Sequence, residues 1–507
     1  MKRAQVLITI LLFLSTIALS SQISIGLGNW GPPNPVRFYP RGPAYVITSF
    51  AYDTLVWKDS KGVIPWLAVK WVKLNDTAWV FYLRKGLTWS DGEPLTAEDV
   101  AFSYNYLKES KWAWKDMSVL KRAVALNETT VLIELNRPFP LFVEEYATTV
   151  FVIPKRVWSS KPSLSVSSGP YVLKSYSPGS GYVFVKNPRF WGPEPLFDQL
   201  VIPSMQFTSP QALASAFISG KVDAITLMGK AWRLIKVIES RKPNAIIKKG
   251  PMYWVLFLGF NLNKYPFDVK EFRKAVSLAL DLKQLVLRSV GSFEGALPGV
   301  PGYVPPYSAF YNKNVGVHEY SPKEAVQLME KLGIRDSDGD GCVELNGRKW
   351  RPLLVTSKSW VTEALIVKEM LERVGICVNV KTVAGTKQLD WIVKNGAFDM
   401  EINGHGATGN NPFALTWIFK AFGTPWFNEK YEKLMRKLTS AKNLEEAEEI
   451  AKEAQGIIAD EVPRIALYYP YQFLVSDGKA HWFFTYNGID GGIPLPYNKL
   501  ALLKPIR

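Results

Sequence analysis

The chain of 507 residues is longer than one hydrophobic core usually supports, which predicts two or three domains. Its composition, 47% hydrophobic and 21% charged, is typical of a globular protein and excludes a fibrous or largely disordered chain. The formal net charge of +16 comes from basic residues spread along the chain, with no zinc-finger, helix-turn-helix or RNA-reading motif, so we expect no nucleic-acid partner.

The first residues predict an exported protein. Lys2 and Arg3 precede an apolar run from Ala4 to Ala18, the charged and hydrophobic parts of a secretory signal peptide, which we place at residues 1–20. The run is shorter than the roughly 20 apolar residues that cross a bilayer, although an uncleaved segment would still serve as a membrane anchor. We therefore expect the protein in the periplasm or on the extracellular side of the cell surface.

Residues 51–105 combine short strands with one capped helix. Strands are predicted at Tyr52–Trp57 and Thr77–Leu83, and Thr96 opens an amphipathic helix with a capping-box-like pattern. No spacing here is typical of a catalytic motif. The runs YDTLVWKDSKGVIPWLAVKW and FYLRKGLTWSDGEPLTAEDVAFS instead resemble the opening signature of the family 5 extracellular solute-binding proteins, which are the peptide, nickel and oligosaccharide receptors of ABC importers.

Later segments follow the same family's order, from about residue 50 to about residue 470. They are Ser168–Leu173 with Lys186–Trp191, Ala216–Asp223, Asn261–Asp281 and Glu461–Ile465. The resemblance implies an α/β fold of the two-lobed, periplasmic-binding-protein-like type II, with an inserted third subdomain and a hinge between the lobes. It also implies a monomeric receptor, not an enzyme, that closes on its ligand and delivers it to the membrane permease of an ABC transporter.

The resemblance further implies how the chain is divided. Lobe I is discontinuous and consists of residues 21–44, 176–255 and 472–507. The inserted subdomain covers residues 45–175, and lobe II covers residues 256–471. Hinges are expected near Tyr253–Asn261 and Leu467–Tyr471.

A strand that runs into a glycine-rich loop is predicted from Phe398 to Gly409. The loop matches the pattern G-x-G-x-x-G, but the region around Glu429, where a ribose-binding acid would be sought, has a helical pattern, so we predict no dinucleotide cofactor. A glycine-rich turn instead lets backbone N–H groups and amide side chains line a ligand cleft. The side chains predicted to line it are Asn403, His405, Asn410 and Asn411.

The same loop bears on the class of ligand. In the oligopeptide receptors of the resembled family, the matching loop carries an Asp that pairs with the α-ammonium group of the peptide, whereas His405–Phe413 contains no acidic residue. This difference favours the oligosaccharide-binding branch, with β-glucans or cello-oligosaccharides as ligands. The 18 Trp and 22 Tyr residues agree with it, because flat rings suit the faces of sugars. The aromatic residues predicted to face the ligand are Trp30, Tyr52, Tyr253, Trp254, Trp417 and Tyr468.

Two other functions stay open at this point. One is an oligopeptide receptor of the same family. The other, more distant, is a secreted carbohydrate-active enzyme, which needs two carboxylates about 5–10 Å apart across the scissile bond. Acidic pairs do occur in the chain, but none lies in a recognisable motif.

A cluster of acidic residues has two interpretations. Asp336, Asp338 and Asp340 alternate before Gly341, as do the carboxylates of a calcium-binding loop. The EF-hand pattern requires a Glu at loop position 12, where this chain has Gly347, and Glu344 is the acid that would take part instead. The alternatives are a structural Ca²⁺ ion and a plain Asx-rich turn, and no other cofactor is predicted.

The two cysteines, Cys342 and Cys377, also have two interpretations. In an exported protein they suit a disulfide that closes a loop of about 35 residues and stabilises the fold by roughly 3–4 kcal/mol. The alternative is two buried thiols. The three histidines show no metal-binding spacing.

Overall fold

The computed structural model describes residues 21–37, 42–110, 115–204, 209–406, 409–421, 423–488 and 496–505. The predicted signal peptide, residues 1–20, lies outside the described residues. Within them, no helix combines the length and the apolar character that crossing a membrane requires.

Strands and helices alternate along most of the described chain. The strands are β1 (Gln22–Gly26), β2 (Val56–Lys58), β3 (Val63–Pro65), β4 (Ala68–Asn75), β5 (Ala78–Leu83), β6 (Leu120–Asn127), β7 (Thr130–Leu135), β8 (Tyr171–Ser177), β9 (Gly181–Lys186), β10 (Gln199–Pro203), β11 (Ala224–Met228), β12 (Ile246–Pro251), β13 (Trp254–Phe260), β14 (Ala296–Pro298), β15 (Glu344–Leu345), β16 (Arg348–Lys349), β17 (Leu353–Ser357), β18 (Asn379–Val383), β19 (Met400–Gly406) and β20 (Arg464–Ser476). The α-helices are α1 (Pro43–Ser49), α2 (Ala97–Glu109), α3 (Phe142–Glu145), α4 (Lys155–Trp158), α5 (Pro210–Ile218), α6 (Arg233–Arg241), α7 (Lys270–Leu278), α8 (Leu282–Ser289), α9 (Pro322–Lys331), α10 (Val361–Glu372), α11 (Thr386–Lys394), α12 (Leu415–Ala421), α13 (Glu429–Thr439) and α14 (Leu444–Glu461).

One large mixed sheet runs through the protein in the order β18-β17-β19-β13-β20-β11-β1-β10-β9-β8. The long strand β20 belongs to both halves of this sheet. Its first part pairs with β13 and β14, and its second part pairs with β11 and β12. The two halves are therefore joined through a shared strand rather than by loops alone.

A separate antiparallel sheet, in the order β4-β5-β7-β6, lies within the region predicted as the inserted subdomain. Helix α2 packs against it, and its first turn has the capping box expected from the sequence: the side chain of Thr96 accepts a backbone hydrogen bond, and Asp99 accepts one from the Thr96 N–H at 3.0 Å. Strand β5 also lies within one residue of its prediction.

The strand predicted over Tyr52–Trp57 is only partly present, as β2 begins at Val56. Its first residues are buried in a loop whose backbone groups bond to other loops. The N–H of Asp53 donates to Ser168 Oγ at 2.8 Å, and Val152 N–H donates to the Asp53 carbonyl at 2.9 Å. Because those partners satisfy the backbone, no strand ladder forms there.

A buried ion pair ties the C-terminal segment to this loop. Lys499 and Asp53 are both fully buried and their charged groups are in direct contact. The Asp53 carboxylate also accepts the indole N–H groups of Trp66 (2.7 Å) and Trp191 (3.0 Å), while the Lys499 ammonium lies 4.2 Å from the ring centroid of Trp57. Burial lowers the pKa of Lys499, and the neighbouring Asp53 carboxylate opposes that shift.

We expect Lys499→Met to lower the free energy of unfolding by about 3–5 kcal/mol, because Asp53 would remain as a buried charge without its partner. Guanidinium denaturation followed by tryptophan fluorescence measures the change. The control is Lys504→Met, which removes an exposed ion pair with Glu194 and should cost much less. Equal losses in the two variants would contradict the importance of the buried pair.

Candidate ligand site at the strand crossover

The chain passes between the two halves of the large sheet where β12 ends and β13 begins. Only Met252 and Tyr253 separate these strands, and Tyr253 has a φ angle of +50°, in the left-handed region that a bulky side chain rarely adopts. Such backbone strain persists where the surroundings enforce it, and it is common at ligand clamps and switches. The crossover is therefore a candidate ligand site.

Asn410 joins the crossover to other parts of the chain. Its amide N–H₂ donates to the Tyr253 hydroxyl at 2.9 Å and to Asn487 Oδ1 at 2.5 Å, and its own oxygen accepts from Ala309 N–H at 2.8 Å. These contacts fix the buried Tyr253 ring and bring four segments together. Burial raises the pKa of Tyr253 to about 12, so its hydroxyl is uncharged at physiological pH.

Further aromatic rings surround Tyr253. Tyr307 meets it edge to face with ring centroids 5.1 Å apart, and the Tyr307 ring lies 6.4 Å from Tyr469 and 6.2 Å from Tyr471. The ammonium group of Lys249 stands 4.1 Å from the Tyr471 ring centroid. The crossover is thus built mainly from tyrosine rings and amide groups.

Trp30 presents the most exposed ring among the predicted ligand-facing aromatic residues, at 52% exposure. Its indole N–H donates to the Leu27 carbonyl at 2.8 Å, and its backbone N–H donates to the Tyr182 hydroxyl at 2.9 Å. It follows β1, which pairs in parallel with β11, and β11 ends at Met228 beside β20. The Trp30 ring is held in place yet exposed near the ends of β1 and β11, and such a ring is suited to stacking against a ligand.

Trp254, the first residue of β13, is half-buried. Its ring centroid lies 5.2 Å from that of Trp360. The Trp254 ring also packs so closely over Gly404 that a Cβ atom added at Gly404 would lie 1.7 Å from a ring atom. The glycine at position 404 is therefore required by the close approach of this ring. The sequence predicts that the glycines here belong to a turn that lines a ligand cleft, and the structure adds this packing role at Gly404.

Several residues that the sequence predicts to contact the ligand lie in the hydrophobic core or pack against it. Tyr52 is fully buried in the core against Phe151, and Tyr468 is buried with its hydroxyl donating to Glu363 Oε1 at 2.9 Å. The structure contradicts the ligand-facing position predicted for these two rings, because core side chains surround both of them. Trp417 is half-buried against the same large core.

His405 and Asn411 also make internal bonds. His405 Nδ1 donates to the Gly406 carbonyl at 2.6 Å, which leaves Nε2 to accept from the Tyr303 hydroxyl at 2.9 Å, and the ring is buried. Asn411 Oδ1 accepts from Phe413 N–H at 2.9 Å and caps a short 3₁₀ turn. Both ring nitrogens of His405 and the side-chain oxygen of Asn411 are thus bonded within the protein.

Asn403 lies on a different feature, a polar cavity of about 550 Å³. The cavity lies between β19, α11 and the end of α12, and its lining includes Asn261, Asp390, Asn403, Lys420 and Gly423. The Asn403 amide stands 3.3 Å from carboxylate oxygens of both Asp390 and Glu401. The structure therefore separates Asn403 from the residues around Asn410, with which the sequence grouped it.

Glu401 is the unexpected residue beside this cavity. It is fully buried, and its Oε1 has no hydrogen-bond partner among the described residues. Burial raises its pKa to about 7, with the positive charge of Arg464 opposing the shift. Alternation along β19 places Glu401 on the face opposite to the apolar Ile402, and its burial could not be predicted because the sequence does not show that both faces of β19 are covered.

The acidic loop and the cysteines are close neighbours. One carboxylate oxygen from each of Asp336, Asp338, Asp340 and Glu344 lies within 4.8 Å of the others. Cys342 and Cys377 form a disulfide, with Cα atoms 5.6 Å apart, that attaches this loop to the segment before β18.

Comparisons with known proteins agree on one class of protein. At 25% identity over 421 residues, the chain is similar to the oligopeptide-binding protein AppA of Bacillus subtilis, covering 76% of this chain and 74% of AppA. The structure of AppA with a nonapeptide has a TM-score of 0.77 at 20% identity and covers 96% of this chain and 99% of that one. A mannohexaose-bound periplasmic oligopeptide-binding protein from Thermotoga maritima has a TM-score of 0.71 at 21% identity, covering 92% and 93%.

These likenesses confirm the expected two-lobed α/β fold of a periplasmic binding protein. The model of the bacterial extracellular solute-binding proteins, family 5 Middle, matches residues 62–426, and the chain belongs to that family. It is a solute-binding receptor of an ABC importer, and its relatives bind and transport solutes rather than catalyse reactions. They are periplasmic or extracellular proteins.

The pKa of Glu401 generates a prediction about pH. Between pH 4.5 and about 7, the unfolded chain releases this proton while the folded protein retains it, so folding stability should fall as pH rises through that window. Glu401→Gln should remove this contribution, which is on the order of 1 kcal/mol per pH unit at its steepest.

Thermal or urea unfolding at a series of pH values measures the difference between the two proteins. Glu449→Gln, which removes an exposed carboxylate, is the matched control and should keep the native profile. Parallel stability curves for the native protein and Glu401→Gln would show that Glu401 titrates normally.

Proposed function

We propose that the ligand of this receptor is a neutral oligosaccharide, with β-glucans or cello-oligosaccharides as the first candidates. The observation that carries the proposal is the chemistry of the crossover, where tyrosine rings and the amides of Asn410 and Asn487 meet. The segment His405–Phe413 supplies no carboxylate that would pair with the α-ammonium group of a peptide. Aromatic rings and amides are suited to the apolar faces and hydroxyl groups of sugars.

Two buried acids near the crossover do not replace the missing carboxylate. Glu363 and Glu401 are both fully buried. Glu363 is already engaged by the Tyr468 hydroxyl and by the Lys230 ammonium, 2.7 Å away. The Thermotoga maritima structure also supports the proposal, since mannohexaose is bound there to a protein of this fold that is named for oligopeptides.

Binding would be coupled to a change in the angle between the two halves of the large sheet. The chain crosses between them at Met252–Tyr253 and along β20, and two adjacent crossings allow a hinge movement. In this proposal the ligand stabilises the closed arrangement, and a monomeric receptor presents that arrangement to the permease.

An oligopeptide is the second candidate ligand. It is favoured by the names of the relatives, above all AppA, whose structure holds a nonapeptide. A peptide-binding version of this site would have to recognise the α-ammonium group with a residue outside His405–Phe413.

Titration with two ligand panels, neutral oligosaccharides and short peptides, distinguishes the candidates. Tryptophan fluorescence and the melting temperature are followed at constant protein concentration, and we expect one sugar series to raise the melting temperature by several degrees. At a ligand concentration of 100 times Kd, the gain in stability should be about 2.7 kcal/mol. A response to peptides alone would overturn the oligosaccharide proposal and establish the second candidate.

Trp30→Ala tests the placement of the site. We expect the affinity for the responding ligand to fall roughly five- to tenfold, since an aromatic contact contributes on the order of 1 kcal/mol. Trp254→Ala should weaken binding as well. Isothermal titration calorimetry measures both variants.

Trp391→Ala is the matched control, because Trp391 on α11 is 65% exposed and lies away from the crossover. All three variants should keep the native circular dichroism spectrum. If both Trp30→Ala and Trp254→Ala bind as tightly as the control, the ligand does not contact this edge of the crossover.

A further inference from the structure

The loop between α9 and β15 concentrates negative charge. Asp336, Asp338 and Asp340 are exposed, and each is within reach of the others and of Glu344, with one oxygen of each carboxylate inside 4.8 Å of the rest. Four carboxylates at this separation repel one another unless a cation lies among them. Neighbouring side chains neutralise only part of the negative charge of these four carboxylates.

Glu344 supplies the second observation. It is only 7% exposed, and its Oε2 accepts from Ser337 N–H at 2.8 Å and from Ser337 Oγ at 2.6 Å. Its Oε1 is buried without a hydrogen-bond partner among the described residues, although this carboxylate faces the three aspartates. A buried carboxylate oxygen without a partner is costly, and a bound cation would satisfy it.

Basic side chains compensate only part of this charge. The Lys349 ammonium lies 2.7 Å from Asp340 and 3.3 Å from Asp338, and Arg351 lies 3.6 Å from Asp340. Among the described residues, the ion pairs of this loop leave Asp336 and Glu344 without a cation. The basic side chains therefore neutralise Asp338 and Asp340 and reach neither Asp336 nor the buried Glu344.

We propose that Asp336, Asp338, Asp340 and Glu344 bind one Ca²⁺ ion. The donors are all oxygen atoms, which a hard cation prefers, and a loop with glycines at 339 and 341 suits the irregular coordination of Ca²⁺ better than the strict octahedron of Mg²⁺. The loop follows the alternating carboxylates of an EF-hand up to Gly341. It then takes Glu344, at position nine, as its buried acid, since position 12 is Gly347.

The ion would act on stability rather than on ligand capture. The loop carries Cys342, whose disulfide with Cys377 attaches it to the segment between α10 and β18, and the next residue, Val343, donates its N–H to the Gly375 carbonyl of that segment at 2.8 Å. Calcium would thus bind the same loop, directly before the hairpin β15–β16, that the disulfide attaches to this segment. The proposal does not depend on which solute the receptor binds.

Isothermal titration calorimetry of the chelator-treated, full-length protein tests the site directly. We expect one Ca²⁺ per chain, with a dissociation constant of about 10⁻⁴–10⁻³ M or tighter, as in extracellular calcium modules. Calcium should raise the melting temperature by several degrees, and magnesium at the same concentration should not. The absence of both heat and a melting shift at about 10 mM Ca²⁺, well above that range, would overturn the proposal.

Two variants locate the ion. Glu344→Gln should weaken calcium binding at least tenfold, and Asp338→Asn, at an exposed position where folding is not at risk, should weaken it severalfold. Glu239→Gln, which removes an exposed carboxylate on α6, is the control and should bind calcium as the native protein does. Native calcium affinity in both Glu344→Gln and Asp338→Asn would place the ion elsewhere and overturn the assignment.

Discussion

The structure depends on β20, the strand that both halves of the large sheet share. Its thirteen residues bond to β13 and β14 at one end and to β11 and β12 at the other. Since its backbone groups are used on both sides, neither half can lose β20 without exposing unpaired hydrogen-bonding groups. The halves are therefore free to change their relative angle only by bending this strand and the short connection at Tyr253.

The pairing of β20 shows where such bending is easiest. Leu256 of β13 faces Tyr468, whereas the next residue, Phe257, faces Ala466, so the register shifts within one step. Bulges of this kind bend a strand and increase its twist locally. This irregularity lies close to Tyr253, and the two crossings therefore depart from regular strand geometry at neighbouring positions.

Local signals in the sequence were enough for much of the fold. The capping box at Thr96, the alternating strand β5 and the strand that leads into the glycine-rich loop depend on neighbours within a few residues, and all three are present. The family signature added the prediction of the two-lobed architecture, because the motifs of the family occur in order along most of the chain.

The candidate site was less predictable because long-range contacts decide it. Tyr52 resembles a ligand-facing aromatic residue in sequence, but Asp53 beside it bonds to Ser168 and Trp191, more than 100 residues away, and that loop is carried into the core. Asn487 meets Asn410 across 77 residues, and no local pattern marks either residue of that pair as part of a crossover. Burial and pairing of this kind become visible only after the chain is folded.

The contacts that join the two halves of the sheet differ greatly in strength, and the difference indicates how the receptor would open. Behind β20, the buried Glu363 carboxylate is held by Lys230 and Tyr468, and separating a buried charge from its partners costs several kcal/mol. At the crossover, Asn410 makes neutral hydrogen bonds, each worth about 1 kcal/mol net, which water can replace. Opening at Asn410 while the contacts of Glu363 persist is thus the less costly movement, and it would expose the tyrosine and amide groups proposed to recognise the ligand.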